Sequence, residues 1–166
     1  MKMVILWLSS SGMRTSEFLQ LKKEDVKLNL DPVEIHIRAE TTKTRTDRVT
    51  FISQQAKENM TKDIFKSYKE ISDLLNLEQQ FNNLRKACKL TGKYRTSNVH
   101  HITLHTFRSY FRTLAGMLNS DFAEDVLGHE GGSKSSGGGG YLKQYVRQSM
   151  ESKREFYKQL EPKLTI

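Results

Sequence analysis

Basic side chains, histidines and tyrosines occur in this chain in an order that could transfer a phosphoryl group. Arg14 lies near the N-terminus. Lys43, Arg45 and Arg48 crowd one polar turn. His105 and Arg108 stand three residues apart, and His129 follows Leu127-Gly128. Two fixed guanidiniums can clamp a phosphodiester through their planar forks. A lysine or a histidine can move protons. A phenol can attack phosphorus and hold it covalently, and Tyr141, Tyr145 and Tyr157 are the C-terminal candidates. The sequence shows no carboxylate cluster of the kind a catalytic Mg²⁺ uses, which argues against a metal-dependent nuclease.

These residues need a scaffold, and its pattern is readable. Met3 to Ser9 is apolar throughout and predicts a buried helix, broken by Ser10-Ser11-Gly12. Thr15 or Ser16 can cap a second helix with Phe18, Leu19 and Leu21 inward. Lys22 to Asp25 is a polar exit. Val26, Leu28 and Leu30 alternate with polar residues as a half-buried strand does, Asp31-Pro32 turns the chain, and Val33, Ile35 and Ile37 alternate again. After the basic turn, Arg48 to Ile52 predicts a third strand. From Gln54 the period becomes helical: Ile64, Tyr68, Ile71, Leu74 and Leu75 share one face, and Phe81, Leu84, Ala87 and Cys88 continue in the next helix. Gly92 to Asn98 is a basic loop. Thr103 caps a strong helix over 104–118, with Leu104, Phe107, Phe111 and Leu114 as its inner stripe, and Ser120 caps a short one ending near Leu127. Two last helical stretches cover 142–148 and 150–160, and Tyr157 is expected to pack on a helix. The expected class is α+β: a mostly helical domain with a small three-stranded antiparallel sheet.

The bulk numbers fit one domain. A chain of 166 residues is long enough for a real core. It carries 27 Lys+Arg against 19 Asp+Glu, a formal net charge of +8, which favours a polyanionic partner, nucleic acid first. The single cysteine, Cys88, excludes an internal disulfide and reads as a small helical hydrophobe in a reducing compartment. The opening apolar run is too short for a membrane span or a signal peptide, so a cytoplasmic location is expected. Its closeness to the terminus predicts a fragment from which an N-terminal domain has been removed. Residues 132–140, Gly-Ser-Lys-Ser-Ser-Gly-Gly-Gly-Gly, contain nothing apolar and read as a flexible linker with the composition of an engineered insertion.

Three boxes then carry a family likeness. The segment from Ser11 to Leu21 resembles the first arginine box of the tyrosine recombinases, the phage-integrase family. His105-Thr106-Phe107-Arg108 resembles the second box, and Leu127-Gly128-His129 resembles the motif preceding the nucleophile. The likeness runs from Ser11 to about Arg147. The ending Tyr145-Val146-Arg147 is most similar to archaeal and archaeal-virus members. The chain departs from the family at Ser109, where a His or Lys often follows the second arginine.

That resemblance implies a recombinase catalytic fold lacking a DNA-clamping domain, and an integrase acting on double-stranded host or viral DNA as a homo-oligomer, a tetramer, that associates weakly as an isolated fragment. It implies no cofactor. It selects Lys43 as general acid, Arg14, Arg108 and His129 as phosphate ligands, and His105 as their assistant. Tyr145 is the implied nucleophile, with Tyr141 as the alternative. Glu17, one turn beyond Arg14 on the same face, would fix its fork. Arg45, Arg48, Lys93, Arg95 and Arg112 are the expected DNA contacts. The glycine segment breaks the usual spacing between histidine and tyrosine and would change which sites the tyrosine can reach. Two rival readings remain: a type IB topoisomerase, and a basic DNA-binding module without chemistry.

Overall fold

The computed structural model describes residues 1–61, 65, 71–128 and 148–164. The chain opens with helix α1 (Lys2–Ser11) and the short α2 (Thr15–Leu19). A three-stranded antiparallel sheet follows in the order β1 (Val26–Lys27), β2 (Val33–Ile37), β3 (Arg48–Ile52). Helices make up most of the remainder: α3 (Gln54–Glu58), α4 (Ile71–Ala87), α5 (Leu104–Leu118), α6 (Ser120–Leu127) and α7 (Met150–Leu160). A mostly helical chain with a small antiparallel sheet is the expected class. The linker expected at 132–140 and the helix expected over 142–148 lie outside the described residues.

Helix α1 runs two residues further than its sequence predicts. Serines ordinarily draw a backbone out of helix, but here the hydroxyls of Ser9 and Ser10 donate to the Leu6 carbonyl and that of Ser11 to the Trp7 carbonyl. All three serines are buried with their hydroxyls satisfied, so the helix continues to Gly12. Gly12 stops it in the left-handed region at φ 64°. A Cβ there would sit 2.5 Å from a ring carbon of Phe111 and 2.8 Å from Leu127. Gly12→Ala therefore combines backbone strain with overpacking, and urea denaturation should show a loss on the order of 3 kcal/mol.

Strand β1 is shorter than the alternation Val26, Leu28, Leu30 predicts. Only Val26 and Lys27 pair, opposite Ile35 and Glu34, because the chain turns at once and the Leu30 amide donates to the Lys27 carbonyl. The Asp31–Pro32 peptide bond is cis. Strands β2 and β3 pair along their full lengths, with Val33 opposite Ile52, Ile35 opposite Thr50 and Ile37 opposite Arg48. This register places Arg48 on the same face as Thr50 and Ile52.

On α4 the buried stripe is Leu77, Phe81 and Arg85, spaced four apart, whereas Leu75 and Leu84 are exposed. Cys88 is exposed just beyond the helix and is no core residue. Ser120 does not cap α6; the Asn119 side chain does, accepting from the Phe122 amide at 2.8 Å. No described helix is long and apolar enough to cross a membrane.

The core has two parts. One joins α1, α2, the sheet and α4 around Trp7, Phe18, Ile35 and Phe81. The other joins α5, α6 and α7 to Phe51 through Phe111, Phe122, Leu127, Tyr157 and Leu160. Burying each large apolar side chain contributes roughly 1.5–3 kcal/mol. Trp7 also donates its indole N–H to the Ala56 carbonyl, and Phe81 meets Phe107 edge-on at 5.8 Å, which ties α4 to the start of α5.

Candidate active site

Polar residues stitch the two core parts together, and the candidate site lies on that seam. Arg14 is the residue before α2, in extended conformation, so its amide is left over by the helix. Glu17 takes up that amide at 2.7 Å with one carboxylate oxygen and the Arg14 guanidinium at 2.9 Å with the other. Arg14 thus acquires a defined fork direction while its side chain stays 27% exposed.

Glu17 itself is fully buried, and a buried carboxylate needs more than one partner. Arg48 supplies the second. Its two terminal nitrogens reach both Glu17 oxygens at 3.1 and 2.6 Å, and its Nε donates to the Val126 carbonyl on α6. Arg48, expected among the DNA contacts, is therefore an interior residue with a side chain only 4% exposed. The pairing register decides this, by turning position 48 to the core face. Burial alone would push the Glu17 carboxyl up; hydrogen bonding and charge from Arg48, joined by Arg14, more than offset it and hold the carboxyl below its ordinary value of 4.5.

Arg108 stands at the second turn of α5, buried at 4% exposure. One terminal nitrogen donates to the Gly12 carbonyl and the other to the Leu127 carbonyl at 2.8 Å. The two acceptors end α1 and α6, so the turn into the first arginine box and the approach to His129 are both tied to this guanidinium. Burial, then the nearby Arg14 charge, lowers its pKa from 12.5 to about 10, against a raising effect of Glu17. It remains a cation at neutral pH. The structure thus brings Arg14 and Arg108 together through Glu17 and Arg48.

Gly128 closes α6 at φ 68°, and a Cβ there would fall 2.7 Å from Arg48 Cδ. The glycine before His129 is thus a packing requirement of the buried arginine as well as a helix stop.

The remaining predicted residues that the structure describes are exposed, except Tyr157. Lys43 is exposed on the β2–β3 connection, whose base is closed by the Thr46 amide donating to the Thr42 hydroxyl and the Ala39 amide donating to Asp47. Arg45, exposed on the same connection, is left-handed at φ 53°. His105 is exposed one turn before Arg108. Lys93 and Arg95 are exposed in the loop after α4, where Lys93 donates to Asn98. Arg112 is exposed too, but Nε and Nη2 both engage Glu124 of α6. His129, Tyr141 and Tyr145 lie outside the described residues. Tyr157 is fully buried, donates its hydroxyl to the Ser10 carbonyl, and has a phenol pushed well above its ordinary value by burial and by Glu161. It is a core residue.

A model of the phage integrase family matches residues 1–136 of this chain. The match is to the family as a whole and says nothing of an archaeal origin. No curated protein and no solved structure matches.

Proposed function

The chain belongs to the phage integrase family, and on that premise we propose that it is the catalytic domain of a site-specific tyrosine recombinase that cuts and rejoins double-stranded DNA. The observation that carries the reading is the pairing of two arginines on one seam: Arg108 fixed by two backbone carbonyls and Arg14 fixed by Glu17. Planar forks so held suit the non-bridging oxygens of a phosphodiester.

In the proposed reaction the Tyr145 oxygen attacks phosphorus as the bond to the 5′-oxygen breaks. The products are a 3′-phosphotyrosyl link and a free 5′-hydroxyl. The phenolic proton leaves toward His105 or water, and Lys43 protonates the departing oxygen. Arg14, Arg108 and His129 stabilise the charge that builds on the five-coordinate phosphorus. A second 5′-hydroxyl reverses the step on a new partner strand. The phosphoester energy stays in the covalent intermediate, so ATP is not required. Exposed Arg45, Lys93 and Arg95 would hold the duplex, and exchange between two duplexes calls for several copies of the chain, a tetramer on DNA. The Tyr145-Val146-Arg147 ending supports a narrower likeness to archaeal and archaeal-virus members.

A nicked duplex that loses its short fragment bearing the new 5′-hydroxyl on cleavage should trap the covalent complex. Mass spectrometry of that complex should find the modification on Tyr145; Tyr145→Phe should abolish the adduct and Tyr141→Phe should retain it. An adduct that survives Tyr145→Phe moves the nucleophile. No adduct with the unaltered chain, despite binding, leaves a DNA-binding module.

A further inference from the structure

We propose that the groove between α4 and the first turn of α5 grips a DNA backbone phosphate flanking the scissile one, with Arg85 as its anchor. The inference rests on the DNA-cleaving reading above and adds a site to it.

Arg85 sits in the last turn of α4 and is 94% buried, with a relative exposure of 6%. Nothing acidic pairs with it among the described residues. Nη1 donates to the Ile102 carbonyl at 3.1 Å, while Nε is buried without an acceptor among the described residues. The other buried arginines among the described residues behave differently: Arg48 holds a carboxylate and Arg108 two carbonyls. A buried guanidinium with an idle donor is costly, and the cost falls when the fork turns toward an anion in the groove that Arg85 lines.

The groove that Arg85 lines is built for such an anion. Thr103, Leu104 and His105, the cap and first turn of α5, form one wall. The helix offers its positive dipole end there, together with amides that no helical carbonyl can take. Phe81 and Asn82 of α4 form the other wall, and His100 closes the loop side. Glu78, exposed one turn before Asn82 and two turns before Arg85, also lines the groove. Thr15, the neighbour of Arg14, and His105 line the groove as well, so it opens beside the candidate active site. Contacts to the phosphate backbone on either side of a reacting linkage set the register of a duplex without reading its sequence.

The test uses the whole chain and a non-specific duplex, with affinity measured across a salt series. Arg85→Met should lower affinity roughly tenfold and reduce the slope of log K against log salt by about 0.9, the loss of one phosphate contact. A folded Arg85→Met protein with unchanged affinity and slope overturns the proposal and leaves Arg85 as a strut for the Ile102 loop. A second pair keeps the test decisive if methionine is not tolerated inside. Asn82→Glu puts a carboxylate into the groove one turn from Arg85; Asn83→Glu adds the same charge to the same helix outside it. Asn82→Glu should weaken binding roughly tenfold and Asn83→Glu less than about threefold. Equal effects overturn the proposal. If the unaltered chain shows no salt-dependent duplex binding, the recombinase reading and this one fall together. Normal binding and cleavage with silent variants sinks this one alone.

Discussion

Arg108→Lys should cut strand cleavage by roughly 10²–10³-fold, the loss typical of removing one preorganised donor from a developing charge. The expectation follows from what Arg108 holds. Its two terminal nitrogens bond carbonyls at the ends of α1 and α6, so the plane of the fork is set by backbone from residues 12 and 127. A lysine keeps the positive charge but presents a tetrahedral ammonium on a flexible stem. It cannot satisfy two diverging carbonyls and keep a fixed face toward phosphate. Single-turnover cleavage of a nicked duplex measures the loss. Duplex binding should change less than about threefold, because the lysine keeps the positive charge on which non-specific attraction to phosphates depends. A lysine variant that cleaves within threefold of the unaltered chain would show that Arg108 serves only to hold the helix ends.

Glu17→Ala should be the most destabilising single change on the seam. It removes the carboxylate that two arginines share, and leaves Arg48 charged with a side chain 4% exposed. An uncompensated buried charge costs about 3–5 kcal/mol. For a chain of this size that corresponds to a fall in melting temperature on the order of 10 °C. Cleavage should fall too, since Arg14 loses the partner that orients it. Glu17→Gln separates charge from hydrogen bonding and has a definite pH signature. The folded-state pKa of Glu17 is lowered below 4.5. Its ionised form therefore contributes stability that is complete above 4.5 and is lost as pH falls from there through the lowered folded value. The stability gap between the unaltered chain and Glu17→Gln should be widest near neutrality and close on acidification. A gap that stays constant from pH 7 to pH 3 would mean that the charge of Glu17 contributes nothing.

Local pattern revealed much of this protein. The apolar run in α1, the alternation in β2, the strand over 48–52 and the strong amphipathic face of α5 all survive in the fold, because each rests on a short-range pattern. The Arg14–Glu17 pairing was legible for the same reason, being one helical turn. Charge in a basic turn ordinarily faces water, so the sequence predicts a surface position for Arg48. Alternation along β3 sets the polar Arg48 and Thr50 opposite Val49 and Phe51 and so predicts an outward arginine; in the fold both faces of the strand are largely buried, and Arg48 goes inward with its charge paired. The serines ending α1 misled in the opposite way, since hydroxyls that look like helix breakers were taken up by carbonyls one turn back.

What the sequence determined alone was the inventory: which cations and aromatic residues exist, in what order, and on which kind of element. What only the tertiary structure decided was their company. Arg108 meets the carbonyls of residues 12 and 127, Arg48 meets Glu17 and Val126, and Arg85 meets a carbonyl with one donor left idle. Those partners are separated by up to 96 positions in the chain. No periodicity spans such a distance. They are selected when the core closes and each buried charge must find an acceptor or remain without one.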